Sequence, residues 1–245
     1  MVMVDLHCHL LPGVDDGPET MAQSVAYAAS AVAAGTRTIV ATPHVELVDV
    51  RELDERVGEL RAELECAGIA LEVHRGGELK PESIGALGQD DLELIAHGPA
   101  GARWLLYEVP FGGVDEAFLD GASELRARGF GLLLAHPERS RGILRGGLDA
   151  LAPQLAEGAL VAANVDPLQG GEGGDRFSAA QTLMRAEIPA VIATDAHPPH
   201  RPFTLAMAAT AIIQATGRAD LGALLTSSAP ARLLAEGMPR ARAAA

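Results

Sequence analysis

The sequence predicts an α/β protein in which seven strand–helix units form a parallel sheet closed into a barrel. Three observations lead there. Seven short apolar runs alternate with stretches of helical periodicity, and no linker interrupts them. Hydrophobic residues make up 48% of the 245 residues but aromatics only 3%, so Leu, Val, Ile and Ala must pack the core, as in the layered interior of a barrel. Side chains of metal-ligand type, His7, His9, His44, Glu78, Glu108, His136, Asp195 and His197, recur just after the apolar runs.

Residues 3–7 read as the first strand, and Pro18 and Glu19 open a helix that reaches about Ala34 and stops at Gly35. Residues 38–42 are the second strand, ended by Pro43 and His44. Residues 49–67 then set charges against Leu and Val at helical spacing before Gly68. The third strand, 69–73, reaches Glu78 through a Gly76-Gly77 turn, and the fourth, 103–109, carries Glu108 at its end and stops at Pro110. Residues 130–135, 160–163 and 190–194 are the last three, ended by His136, Asn164 and Asp195. The Gly-rich segment 170–174 lacks a following Lys-Ser or Lys-Thr, so it reads as a mobile surface loop and not a phosphate cradle. The whole chain, 1–245, is expected to be one domain, since a chain near this size buries roughly 75% of its unfolded surface.

Composition also excludes classes. Residues 1–11 lack a basic region and carry Asp5, His7 and His9 where a signal peptide would be apolar, which implies a cytoplasmic location. The uncharged stretch 20–36 is broken by Gln23, Ser24 and Ser30 and falls below the ~20 apolar residues of a spanning helix, so no membrane insertion is expected. A formal charge of -14 argues against nucleic acid as a partner. It leaves room for a phosphorylated substrate if bound cations supply local positive charge. Cys8 and Cys66 cannot make a disulfide framework. Cys8 follows a His, as in cysteine phosphatases, but position 14 is Val14 where an Arg would be needed. Cys8 is expected to be a buried bystander.

In parallel barrels the active site lies at the C-terminal ends of the strands, where all eight candidates fall. His7 and His9, two apart, project the same way and can share an ion. Imidazole and carboxylate without thiolate favour Mn, Fe or Zn. Five His and three carboxylates exceed the needs of one ion, so two or three are expected, with a carboxylate such as Glu78 bridging a pair. Paired ions activate a shared water for hydrolysis. Arg139, three residues after His136, and Arg201, four after His197, suit phosphoryl oxygens. The bland alternative for each is a surface ion pair.

The segments Asp5-Leu-His7-Cys-His9, Asp15-Asp16-Gly17, Ala41-Thr-Pro-His44, Gly77-Glu78, His136-Pro-Glu-Arg139 and Thr194-Asp195-Ala-His197 together resemble the polymerase and histidinol phosphatase (PHP) superfamily. More narrowly, the chain resembles the bacterial CpsB/YwqE-type tyrosine phosphatases of capsular and exopolysaccharide synthesis. The resemblance implies a distorted seven-stranded, TIM-like (β/α)7 barrel holding three divalent ions, usually Mn. It also implies a phosphotyrosine-bearing partner, a bacterial tyrosine kinase controlling polymer export. It assigns His7, His9, Glu78 and Asp195 to the first ion, and Glu78, Glu108 and His136 to the second. His44, His197 and one aspartate of the Asp15-Asp16 pair, with a lean to Asp16, take the third. Arg139, Arg201, His136 and His197 are then the expected catalytic residues, acting with a hydroxide between two ions.

Three departures from the family pattern, Val45, Ser140 and the loop from Asn164, are expected around the rim, where leaving-group recognition is decided. Two rival readings stand beside this one. One is a small-molecule phosphoesterase of the histidinol-phosphate or nucleotide type. The other, a non-catalytic binding module, predicts lost ligands, yet every proposed position is filled.

Overall fold

The computed structural model describes residues 2–170 and 173–239. Strand β1 (Met3–Cys8) leads to helix α1 (Met21–Ala33), and β2 (Thr36–Ala41) to α2 (Leu53–Cys66). Then come β3 (Glu72–Arg75), β4 (Glu78–Leu79) and α3 (Gln89–Ile95), followed by β5 (Trp104–Glu108) and α4 (Glu116–Ala127). β6 (Gly131–Ala135) precedes α5 (Arg141–Gly146) and α6 (Ala152–Ala156); β7 (Leu160–Asn164) precedes α7 (Val165–Leu168) and α8 (Gly174–Arg185). β8 (Val191–Ala193) is followed by α9 (Leu205–Thr216), α10 (Ala219–Ala223) and α11 (Ala229–Glu236).

Local chemistry moves some expected boundaries. α1 starts at Met21 and not at Pro18, because Thr20 and Gln23 form a capping box: the Thr20 hydroxyl accepts from the Gln23 N–H and Gln23 Oε1 accepts from the Thr20 N–H. In α2, Leu53, Val57, Leu60 and Leu64 are buried along one face, the stripe that its spacing promised. Gly174 opens α8 instead of ending a loop; Gly171 and Glu172, the middle of that predicted loop, lie outside the described residues, as do Arg240 and Arg242. No helix among the described residues is long and apolar enough to cross a membrane.

All strand pairings are parallel, as expected, but the closed seven-stranded barrel needs correction. Eight strands form two sheets, ordered β1-β2-β3 and β4-β5-β6-β7-β8, with no continuous ladder around both among the described residues. The third predicted strand, 69–73, lies instead at Glu72–Arg75, and the Gly76-Gly77 turn separates it from a further strand at Glu78–Leu79, so that β3 pairs with β2 and β4 with β5. A Cβ at Gly76 would lie 2.6 Å from Val40 Cγ1, and one at Gly77 2.6 Å from Val45 Cγ1. Any larger residue at either position would have to displace these valines, so glycine is favoured at both.

The sheets meet at two seams, one at the C-terminal end of β1 and the other where the chain leaving β2 meets the start of β4. Cys8 bridges Ala196 at one and His44 bridges Glu78 at the other. The Asp195 N–H donates to the His7 carbonyl at 2.8 Å, and the Glu78 N–H to the Pro43 carbonyl at 3.0 Å. Below the seams, alternate residues of both sheets, among them Val4, Leu6, Val40, Leu106 and Leu133, share one apolar cluster. Leu233 of α11 closes its lower end, where its carbonyl accepts the Trp104 indole N–H at 3.0 Å.

Candidate metal centre

The seams bring ligand-type side chains from both sheets to one place. Four atoms define its heart: Nε2 of His7 and of His9, Oε2 of Glu78 and Oδ1 of Asp195. The two ring nitrogens are 3.3 Å apart, and each lies 3.3–3.4 Å from both carboxylate oxygens. Tetrahedral ligands bound at about 2.0–2.1 Å to one ion stand about 3.3 Å from one another. The separations of the two imidazoles from each other and from each carboxylate, and the donor set, nitrogen and oxygen without thiolate, therefore fit a divalent cation. All four side chains are buried.

Glu78 faces two ways. Its Oε1 lies 2.9 Å from His136 Nε2, and the ligand atoms of His7, Glu78 and His136 fall within 4.8 Å of one another. Glu108 stands farther out, 4.0 Å from His136 and outside that group. A further group joins His9, Asp16, His44 and His197, with Asp16 Oδ1 3.0 Å from His197 Nε2 and 3.6 Å from His44 Nε2. The adjacent aspartates part here. Asp15 is turned inward: Oδ2 lies 2.6 Å from His9 Nδ1 and accepts from the His44 N–H, while Oδ1 accepts from the Gly17 N–H. A Cβ at Gly17 would lie 2.7 Å from the His9 carbonyl, so the Asp-Asp-Gly turn needs its glycine to pass beneath β1.

The second oxygen of Asp195 takes Arg139 Nη1 at 2.8 Å, Asn164 Nδ2 at 2.8 Å and Arg201 Nη1 at 3.3 Å. Both arginines thus converge on a buried site carboxylate. Arg201 Nη2 also lies 2.6 Å from His197 Nδ1. His136 and Asp195 adopt left-handed backbone, φ 35° and 47°, a conformation that costs about 1–3 kcal/mol in a non-glycine residue and collects at functional sites. Two residues named in the sequence reading without a supporting role at the centre take one here. Asn164 orients Asp195 and is held by Glu138 Oε1, which accepts its backbone N–H at 2.6 Å. Asp5 accepts from the Thr194 hydroxyl at 2.6 Å and from the Thr194 and His7 N–H groups, tying β1 to the end of β8. A carboxylate inside an apolar strand, and an amide at the end of the sixth predicted strand, were the available signals.

Electrostatics separate these groups. Burial works against charge on Glu78, yet His7, His136 and His9 hold its carboxyl well below the usual range. Asp195 is likewise held low against burial by His7 and His9. Burial and the nearby Glu78 push Glu108 the other way, up to about 8. Burial raises the Cys8 thiol well above its ordinary value, so Cys8 is the bystander expected. The departures expected at the rim are corrected in part: Val45 and Ser140 are buried, Val45 against Gly77, and in the loop from Asn164 residues 164–168 are buried, with Asn164 on Asp195, while Gln169 and Gly170 are exposed. A cavity of about 640 Å³, lined by Leu160, Met184, Leu221 and Leu233, opens at the opposite ends of the strands, away from every residue of this centre.

Known proteins share this arrangement of chain. The family model for CpsB/CapC capsular polysaccharide synthesis matches residues 3–235. The tyrosine-protein phosphatase YwqE of Bacillus subtilis (strain 168) is 31% identical over 199 residues, 80% of this chain and 77% of its own length. CapC of Staphylococcus aureus is 29% identical over 210 residues, 83% of this chain and 80% of its own. A solved chain from the crystal structures of YwqE from Bacillus subtilis and CpsB from Streptococcus pneumoniae, metal-dependent tyrosine phosphatases, aligns with a TM-score of 0.81 and 29% identity. It covers 95% of this chain and 94% of that one. An organophosphorus hydrolase variant from Deinococcus radiodurans, with a TM-score of 0.59 and 16% identity, shares the fold alone. With residues 3–235 matched by one family model, the chain belongs to the CpsB/CapC family of capsular polysaccharide synthesis.

Proposed function

We propose that this chain is a metal-dependent protein-tyrosine phosphatase that uses three divalent ions, Mn in preference to Fe or Zn. The observation that carries the reading is the pair of ring nitrogens of His7 and His9, 3.3 Å apart and each 3.3–3.4 Å from an oxygen of Glu78 and of Asp195 at the seam of the two sheets. His7, His9, Glu78 and Asp195 would hold the first ion, Glu78, Glu108 and His136 the second, and His44, Asp16 and His197 the third. Asp15 is assigned to orienting His9, because both its oxygens are engaged. Bound ions would lower the pKa of a shared water and offset phosphoryl charge.

The chain's own groups do the rest. Arg139 and Arg201 supply guanidinium donors for phosphoryl oxygens, and Asp195 keeps the two side by side. Asn164 holds Asp195 so that one oxygen serves the imidazoles and the other the arginines. A tyrosyl leaving group, with a pKa near ~10, asks little of a proton donor. The proposed partner is a phosphotyrosine-bearing bacterial kinase of polymer export, met in the cytoplasm. The two sheets would work as one distorted seven-unit barrel in a single phosphoesterase domain, 1–245.

Elemental analysis of protein purified without chelator, followed by turnover of a phosphotyrosine peptide on adding back Mn, tests the reading. At least two metal equivalents per chain and metal-restored turnover are expected; His136→Ala should lose both metal and turnover. Fewer than two equivalents with no response to metal would sink it. Higher kcat/KM on histidinol, nucleotide or sugar phosphates would replace the protein substrate by a small one.

A further inference from the structure

Phe111 is a large apolar side chain left 43% exposed beside a centre made otherwise of charged and polar groups. It sits just beyond β5 in a turn closed by the Gly113 N–H on the Pro110 carbonyl at 3.1 Å. The Phe111 carbonyl accepts the Arg141 N–H at 2.9 Å, which fastens this turn to the segment after His136. Its ring lies 5.8 Å from the His136 imidazole, and the Arg139 guanidinium packs 4.7 Å from its centroid. The ring is thus fixed from beneath by two residues of the centre while much of its surface faces solvent.

Resting on the phosphatase reading above, we propose that Phe111 is a specificity residue, a platform on which the aromatic ring of the substrate's leaving group stacks. A phosphoryl group held beside His136 and Arg139 has its ester substituent one bond away, within the about 4.5–7 Å reach of aromatic stacking from Phe111. An aryl ester gains that contact and loses exposed apolar surface; an alkyl ester of similar charge gains little. Arg139 contributes twice, by supporting the ring through cation–π contact and by binding phosphoryl oxygen.

Calorimetric Kd values for benzylphosphonate and ethylphosphonate, measured on Mn-loaded wild type, Phe111→Ala and Phe111→Trp, test the platform without requiring turnover. Phe111→Ala should lower the aryl-over-alkyl preference by about five- to tenfold, and Phe111→Trp should retain it. Equal weakening of both ligands would show that Phe111 only supports Arg139, and an unchanged preference would show that no stacking occurs; either overturns the proposal. Wild-type turnover of a phosphotyrosine peptide is measured alongside. Its absence, with neither phosphonate bound, sinks the phosphatase reading and the platform with it, whereas turnover with unaltered preference sinks the platform alone.

Discussion

Because both oxygens of Asp15 are engaged by His9, Gly17 and His44, its loss acts through those residues, whereas loss of Asp16 deletes a donor outright. Asp16→Ala should cost about one metal equivalent at any free Mn. Asp15→Asn should keep full loading at saturation but weaken affinity about 10–100-fold, as outer partners of metal-bound histidines do. Elemental analysis after dialysis against graded free Mn separates the two, and identical loading curves would refute the division. Glu108 offers a test by pH. Its carboxyl ionises near 4.5 ordinarily and near 8 here. Between those values the folded state keeps a proton that the unfolded chain releases, so its ionisation penalty is absent below about pH 4.5 and complete only above about pH 8. In metal-stripped protein, Glu108→Gln should therefore match the wild-type Tm near pH 5 and exceed it by about 3 °C or more near pH 8. A Tm difference that does not grow with pH would count against it. The ligand types at strand ends were legible in sequence; the split between Asp15 and Asp16 was not, because it depends on which oxygen meets the His9 ring.

β4 is two residues long and carries Glu78, whose two oxygens face the His7–His9 pair and His136, so its placement depends on the glycines before it. Gly77→Ala would set a methyl 2.6 Å from Val45 Cγ1 and 3.3 Å from Ile95, and overpacking of this kind costs about 1–3 kcal/mol. The expected result is a Tm lower by about 2–10 °C together with weaker metal binding, because the displaced segment is the one that holds Glu78. Adding Val45→Ala should return both toward wild type by vacating the space, and a double variant no better than the single would exclude this packing as the cause. β1, β2, β5, β6, β7 and β8 were legible because each is a short apolar run that closes on a polar residue or a Pro. The break at Gly76-Gly77 was read as a turn and not as a change of sheet. Nothing local to the glycines reveals that Val40 and Val45, far back in the chain, close over them.

At the scale of the molecule, the fold must hold a cluster of buried carboxylates within a chain of formal charge -14. An ion that binds the folded state stabilises it by about 2.7 kcal/mol at a hundredfold excess over Kd, so chelation should lower Tm by about 5–10 °C and Mn should restore it. Calorimetric scans with and without chelator check this, and a metal-independent Tm would contradict it. The same charge bears on substrate encounter. Cations at the centre attract a phosphoryl group over a short distance, but an approaching peptide first meets the field of the whole acidic surface. At about 10 mM ionic strength that field reaches about 30 Å, and at 0.1 M only about 10 Å. A phosphotyrosine peptide flanked by Glu should therefore show kcat/KM rising as salt is added, while the same peptide flanked by Lys should start higher and fall, the two converging above about 0.2 M. Parallel salt curves for the two peptides would mean that the acidic surface plays no part in selection. Convergence from opposite sides would mean that the bulk charge rejects acidic sequences and leaves the chemistry to the metal centre.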